Sequence, residues 1–441
     1  MTTGSESKKK PLAEGARCKR VVSGMRPTGR LHIGHYFGAL QNWVRLQNDP
    51  SYDCFYFIAD WHALTTDYAN TFGTAIESVQ IAIDWLACGL DPNRSTLFVQ
   101  SAVPEHAELH LLLSMIAPLG SLERVPTYKE QLENIKDKDL HTYGFLGYPV
   151  LQTADIVIYG SGASEIVVPV GEDQVSHVEF SRELVRKFNF HYGLQFSRKL
   201  FGKSGMAVFA RIMEGTNILS LTPAEGGFGR FRVNLKKEIA ERIGQVGYEN
   251  FMTTFDIPRD LIRHEQVLLE PTSLLTASPR IPGTDGRKMS KSYGNAITFA
   301  ESDEEIRAKT KAMVTDPARK RRSDPGNPDV CPVYDWHKLF SPPETLKWAA
   351  EGCRTAGIGC IECKAAMADN LIKWISPIRE KRIYYQNRGK LVKEILEDSS
   401  VRARLHARRT MLKVREAMFG KDRIKRRSFT GKPMQELTKD T

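Results

Sequence analysis

The sequence predicts an α/β chain: a doubly wound parallel sheet followed by an all-helical C-terminal domain. Three observations carry this expectation. Short apolar runs of the buried-strand kind alternate with helix-period segments through the first half. From Ser302 the pattern is helical nearly to the end. The positive charge gathers in that last part. The whole chain of 441 residues has 63 Lys+Arg against 52 Asp+Glu, a net charge of +11. The stretch Leu371–Thr430 alone holds 18 against 6, a balance of +12. One basic helical segment on a near-neutral body favours a polyanion, most simply nucleic acid; a solvated helical face is the plainer reading.

Each element follows in order. Arg20–Ser23 reads as a first strand, closed by Gly24 and a loop with Pro27 and Gly29. A helix starts near Gly34. Asp53–Asp60 (DCFYFIAD) and Ser95–Ser101 (STLFVQS) are buried strands, separated by a helix over Ala75–Leu86 whose Ile76, Val79, Ile83 and Leu86 keep helical spacing. Glu105–Ile116 and Tyr148–Gly160 are helices, Glu165–Gly171 is a strand and Val175–Asn189 an amphipathic helix. Ser197–His264 is less regular, with a Gly-rich turn (Gly226, Gly227, Gly229) and one good helix, Asn234–Ile243. Ligands of such sheets sit at the carboxyl ends of strands.

Composition excludes several classes. With 41% hydrophobic and 26% charged residues the chain is neither a disordered polyelectrolyte nor a collagen. No run approaches about 18 apolar residues, so no membrane partner is expected. MTTGSESKKKPLAEGARCKR has basic residues but no apolar core after them, which is not a secretory signal. The seven cysteines are therefore not expected to form a disulfide framework.

Two motifs carry chemistry. GMRPTGRLHIGH (Gly24–His35) lies between the first strand and the following helix. Its glycines let backbone approach a ligand, the helix start offers N–H groups to phosphate, and His32 and His35 add donors for charge growing in a transition state. GRKMSKS (Gly286–Ser292) follows a Pro- and Gly-rich turn; Lys288 and Lys291 on a closing loop can follow a polyphosphate as it leaves. Either motif alone reads as easily as an incidental histidine pair or an ordinary basic loop.

In this order, HIGH (His32–His35) and KMSKS (Lys288–Ser292) resemble the signature of class I aminoacyl-tRNA synthetases. FIADWHALT (Phe57–Thr65), YPVLQTAD (Tyr148–Asp155), VPVGEDQVSHVEFSRELVRKFN (Val168–Asn189) and IGCIECKAAMADNL…PIREKR (Ile358–Arg382) narrow the resemblance to the bacterial-type tryptophan–tRNA ligases, from about Arg20 to Met418 excluding the middle segment. The resemblance implies a Rossmann-type catalytic domain over 20–196 and 265–300, an insertion over 197–264, and a helical anticodon-binding domain over 301–420. A disordered arm (1–19) and a basic tail (421–441) flank them.

It also implies roles. His32, His35, Lys288 and Lys291 would be catalytic. Arg26, Pro27, Thr28, Gly34, His35, Gly171, Glu172, Asp173, Ile281, Lys288, Met289, Ser290, Lys291 and Ser292 would bind ATP. Asp155 would accept the indole N–H of L-tryptophan, with Tyr148, His62, Gln174 and Gly24 around it. Losing that N–H would leave a buried carboxylate unpaired, a far larger cost than a lost apolar contact. ATP with Mg2+, tRNA(Trp), a homodimer and a cytoplasmic location complete the implied set. Tyrosine–tRNA ligase, an HxGH nucleotidyltransferase and an RNA-binding relic of a synthetase are the alternatives. GEDQ speaks against the first, the KMSKS loop with its basic helical domain against the second, and the intact motif residues against the third.

Some features depart from the family or stand apart from it. Arg26 stands where the family commonly has glutamine. The Tyr159–Ile166 loop is a few residues longer, and the insertion is extra. Cys331-x21-Cys353-x6-Cys360-x2-Cys363 has donors for a [4Fe–4S] cluster or, alternatively, zinc; four free thiols are the plain reading. FGKSG (Phe201–Gly205) fails as a P-loop because Ser197 replaces its first glycine. HAELH (His106–His110) lacks the metalloprotease glutamate, so its histidines are expected to be structural.

Overall fold

The structure, a computed structural model, describes residues 18–134, 140–202, 205–216, 227–276 and 281–420. The basic tail, nearly all of the N-terminal arm and part of Phe201–Gly205 lie outside them. The chain divides into two compact units, each discontinuous in sequence. One comprises Met1–Val103, Pro169–Asp173 and Leu274–Ala403; the other comprises Pro104–Val168, Gln174–Ser273 and Arg404–Thr441.

The strands are β1 (Lys19–Met25), β2 (Tyr52–Ile58), β3 (Ser95–Val99), β4 (Glu165–Val170), β5 (Leu194–Phe196), β6 (Ile262–His264) and β7 (Pro271–Leu275). In the first unit β1 runs parallel to β2, with Val22 opposite Phe55 and Gly24 opposite Phe57. β2 runs parallel to β3, with Phe57 opposite Phe98. The ends of β4 and β7 continue the sheet in the order β3-β2-β1-β4-β7. Val21, Val22, Cys54, Phe55, Tyr56, Leu97 and Phe98 are all buried. Such unbroken burial, rather than alternation, is what a parallel sheet covered on both faces requires. The helix Thr71–Ala87 buries Ile81, Ile83, Trp85 and Leu86.

The helical part of this unit starts at Asp303–Ala312, where Ser302 and Glu305 form a capping box. Pro332–Phe340, Pro343–Arg354 and Cys360–Gln386 follow, and the last helix, Gly389–Phe419, belongs to this unit as far as Ala403 and to the second unit from Arg404. Residues 313–331 interrupt the expected continuous helicity. Pro317, Pro325 and Pro328 deny helical hydrogen bonds there. Asp316 instead accepts the amides of Ala318 (2.9 Å) and Asn327 (2.7 Å), which ties the connection into a compact loop.

In the second unit the helices Glu105–Ser114, Tyr148–Val157 and Val175–Tyr192 lead. The Thr153 and Ser181 hydroxyls meet at 2.9 Å across the latter two. β5 and β6 pair antiparallel. Residues 197–264 hold helices Met206–Thr216, Gly227–Val246 and Tyr248–Thr254 on a core with Leu200, Ile212, Leu235, Ile239, Phe251 and Leu261. Of the expected Gly-rich turn, Gly226 lies outside the described residues, and Gly227 and Gly229 are corrected to the first turn of the long helix. Leu235, Ile239 and Ile243 form the buried face that anchors that helix. Among the described residues no helix is long and apolar enough to cross a membrane.

Candidate active site

β1 ends at Met25, and its continuation carries the first motif. Thr28 N–H donates to Arg26 O at 2.9 Å, and Pro27 is buried. Gly29 has φ of +94°, which an L side chain rarely adopts. A side chain there would also press on the Lys291 ammonium, 3.0 Å from the Cβ position. His32 N-caps the helix Ile33–His35. The two imidazole centroids stand 3.7 Å apart, and His32 N–H donates to His35 Nδ1 at 3.2 Å. At Gly34 a Cβ would fall 2.9 Å from the His32 ring and 3.4 Å from Met289 Sδ. Burial first, then Lys291, lowers the His32 pKa to about 4. Burial, His32 and Lys291, in that order, lower that of His35 to about 3. Both rings are therefore neutral near pH 7. His32 Nδ1 is buried without a hydrogen-bond partner among the described residues, a polar atom poised for a ligand.

The second motif folds onto the first. Lys291 Nζ donates to Thr28 O at 2.5 Å, and Met289 is buried. Burial lowers the Lys291 pKa against the attraction of Glu77 and Asp84. Lys288 is exposed, Ser290 and Lys291 are half-buried, and Ile281 is buried just before the loop. Ser292 lies in the short turn Lys291–Tyr293.

Sequence reasoning missed the residue that shapes this loop, Asn295, which is 2% exposed. Its Oδ1 accepts the Ser290 amide (2.7 Å), and its Nδ2 donates to Lys288 O (3.1 Å) and Asp285 Oδ1 (2.7 Å). It also missed Asp84. That carboxylate accepts Leu31 N–H at 3.0 Å, beside the histidines, and Arg382 Nε at 2.7 Å. An aspartate inside the apolar run IAIDWLA was a legible signal, since buried charges need partners. Asn295 offered only a polar residue in a turn.

The other expected nucleotide residues in this unit are Gly171 and Glu172, half-buried and exposed, and Asp173, in the short turn Glu172–Gln174. Gly24 on β1 and buried His62 also belong to this unit.

Asp155, Tyr148 and Gln174 belong to the second unit. Gln174 N-caps the helix Val175–Tyr192, and Tyr148 is buried with its ring 5.8 Å from that of His177. Asp155 is fully buried, and its Oδ1 lies 2.5 Å from His106 Nδ1. His106, expected to be only structural, is also fully buried, with Nε2 2.6 Å from the Tyr159 hydroxyl.

The four cysteines gather at the start of the helices Pro332–Phe340 and Cys360–Gln386 and the end of Pro343–Arg354. All are free. Burial and the neighbouring Cys331, Cys353 and Cys360 push the Cys363 thiol up to about 12. Arg319 Nη1 approaches Cys353 Sγ at 3.8 Å and His337 Nε2 approaches Cys363 Sγ at 3.4 Å. The donors fit a metal in kind. Their spacing does not: among the described residues no three His, Cys, Asp or Glu side chains are placed to hold a metal ion. The metal centre expected at these four cysteines therefore finds no support in this arrangement.

Comparison with known proteins adds a second line. The family described as tRNA synthetases class I (W and Y) matches residues 16–217 and 234–376. The chain is 46% identical to the tryptophan–tRNA ligase of Ralstonia nicotianae over 409 residues, 91% of this chain and 98% of that protein. It is 42% identical to the tryptophan–tRNA ligase of Thermotoga maritima over 400 residues, 90% and 98% of the two. Among solved structures it is similar to the Campylobacter jejuni tryptophanyl-tRNA synthetase complexed with ADP and tryptophan. There the TM-score is 0.67 and the identity 27%, covering 90% of this chain and 98% of that one.

Proposed function

The chain belongs to the class I tRNA synthetases of the tryptophan and tyrosine branch, it is a tryptophan–tRNA ligase by its relatives, and we propose how its own residues carry that reaction. The tryptophan carboxylate attacks the α-phosphate of ATP, giving tryptophanyl-adenylate and pyrophosphate. The terminal ribose hydroxyl of tRNA(Trp) then attacks the adenylate. No side-chain nucleophile is needed, so the protein supplies position and charge.

The observation that carries the reading is the meeting of Lys291 with Thr28 beside the His32–His35 pair. It puts one cation and two neutral imidazoles on one loop pair, at the carboxyl end of β1. Neutral imidazoles offer N–H donors without opposing the cation of Lys291. Lys288, on the exposed side, would follow pyrophosphate outward. Arg26, Pro27, Thr28, Gly34, Gly171, Glu172, Asp173, Ile281, Met289, Ser290 and Ser292 would line the nucleotide. Mg2+ would arrive with ATP and neutralise the pyrophosphate oxygens. Asp155 would read the indole N–H, with Tyr148, His62, Gln174 and Gly24 around the amino acid.

The basic helical region 301–420 would grip the anticodon arm, phosphates giving affinity and unstacked bases giving sequence. A homodimer acting in the cytoplasm completes the reading. The four thiols are donors of a kind that a [4Fe–4S] cluster or zinc would use if they were drawn together; no step of the reaction runs through them.

Amino-acid-dependent ATP–pyrophosphate exchange tests the reading. Exchange with tryptophan alone is expected. Exchange with tyrosine would move the chain to the sister specificity, and none with any amino acid would leave an RNA-binding relic.

A further inference from the structure

We propose that His106 is a positioning residue for amino-acid selection, fixing the Asp155 carboxylate in the orientation that accepts the indole N–H. The proposal rests on the reading of Asp155 as the indole acceptor. His106, Asp155 and Tyr159 form a linear chain of two short hydrogen bonds, 2.5 and 2.6 Å, and the histidine and aspartate are fully buried, as is the tyrosine.

The proposal takes Asp155 as ionised and assigns the protons of the chain from that. An ionised carboxylate only accepts, so Nδ1 of His106 must donate to Asp155. In the tautomer that carries its proton on Nδ1 the ring has an accepting Nε2, to which the Tyr159 hydroxyl can donate. In that arrangement the tyrosine favours the tautomer that holds the carboxylate. An ionised carboxylate has about four lone-pair sites, more than the bond from His106 takes up.

The helix that carries His106 is itself held. Glu105 accepts from Arg404 Nε at 2.9 Å and Arg408 Nε at 3.1 Å, and Glu108 pairs with Arg415. The imidazole therefore stands on a clamped backbone, the arrangement by which an outer group orients a recognition group.

The experiment compares tryptophan with benzothienylalanine, in which sulfur replaces the indole N–H, by ATP–pyrophosphate exchange. Wild type, His106→Asn, His106→Leu and Tyr159→Phe are measured, with thermal unfolding of each. Asparagine can place an amide donor near Nδ1; leucine cannot. Expected is a loss of about 10- to 100-fold in kcat/KM for tryptophan in His106→Leu, the value of a hydrogen bond to a charged group. The loss should fall mainly in KM, discrimination against the sulfur analogue should shrink in parallel, and His106→Asn should restore most of both. Tyr159→Phe should lose part of the discrimination while keeping the fold.

Unchanged discrimination in a folded His106→Leu or Tyr159→Phe protein overturns the role of His106 and leaves Asp155 standing. Wild-type enzyme that takes both amino acids equally overturns the Asp155 reading and this inference with it.

Discussion

Asp84 holds Arg382 with one carboxylate oxygen and the Leu31 amide with the other, at 2.7 and 3.0 Å. Both side chains are almost wholly buried. Arg382 also donates to Gln80 Oε1 (2.6 Å) and Gln386 Oε1 (2.7 Å), so each of its three nitrogens is satisfied. Burial raises the Asp84 pKa even against Arg382 and the Leu31 amide. The pair thus joins the loop before the histidines to the helix Cys360–Gln386 within one unit. Breaking such a buried pair leaves an uncompensated charge and costs about 3–5 kcal/mol. Arg382→Met should lose that much in denaturant unfolding of the first unit, while the double variant Asp84→Leu/Arg382→Met should recover a large part. Equal losses in single and double variants would show that packing, not charge pairing, holds the contact.

The histidine pair makes a pH prediction with a definite sign. Folded His32 and His35 titrate at about 4 and about 3, and unfolded histidine near 6.5. Between those limits the unfolded chain binds more protons, so stability falls as pH drops below about 6.5 and the loss levels off below about 3. Polyphosphate beside the rings would raise both values. ATP binding at pH 5.5 should therefore take up more protons in wild type than in a His32→Asn/His35→Asn variant. Calorimetry in buffers of different ionisation heat measures the difference; identical proton uptake by the two proteins would remove the histidines from the phosphate site.

The strands and the two motifs were legible because their signals are local. DCFYFIAD is an apolar run of strand length, and HIGH and KMSKS are contiguous. What escaped was polar and distant in sequence. Asn295 acts on residues 285, 288 and 290 through a fold in the loop. His106 reaches Asp155 only after two helices pack, and its own neighbourhood, HAELH, points to nothing. The Gly-rich turn was misread because composition at Gly227 and Gly229 carried more weight than the apolar spacing that follows. Spacing also identified the four cysteines as one group, yet sequence separation cannot say how closely thiols converge.

Asn295 should matter to turnover as well as to stability. Its amide joins Ser290 N–H, Lys288 O and Asp285, three points that set the path of both lysines. Asn295→Ala removes a buried amide and leaves Ser290 N–H, Lys288 O and Asp285 without that partner, so thermal unfolding should register a loss of about 1–3 kcal/mol. The lysines would lose their fixed path, and the adenylation kcat should fall about 100-fold, the scale of removing one preorganised charge-stabilising contact. Asn295→Asp should be worse above pH 5, since a second carboxylate would then face Asp285 at hydrogen-bond distance, and should improve as pH falls and one of them protonates. Matching rates for the two variants across pH would sever the loop shape from catalysis.

Cys363 offers the sharpest test of a metal at the cysteine group. Its thiol, at about 12, is protonated at neutral pH because burial and three neighbouring sulfurs oppose the thiolate. A bound cation would reverse that balance, and ligation requires the thiolates. Metal uptake should then release protons, about three or four per site at pH 7 if all four thiols ligate. Protein purified without oxygen should carry iron and acid-labile sulfide in equal amounts if the cluster forms, or one zinc without sulfide if it does not. Cys353→Ser should abolish either while leaving tryptophan-dependent exchange intact, since no step of adenylation uses the cysteines. Metal-free protein with full tRNA charging would mean the four are free thiols, Cys353 beside Arg319 and Cys363 beside His337.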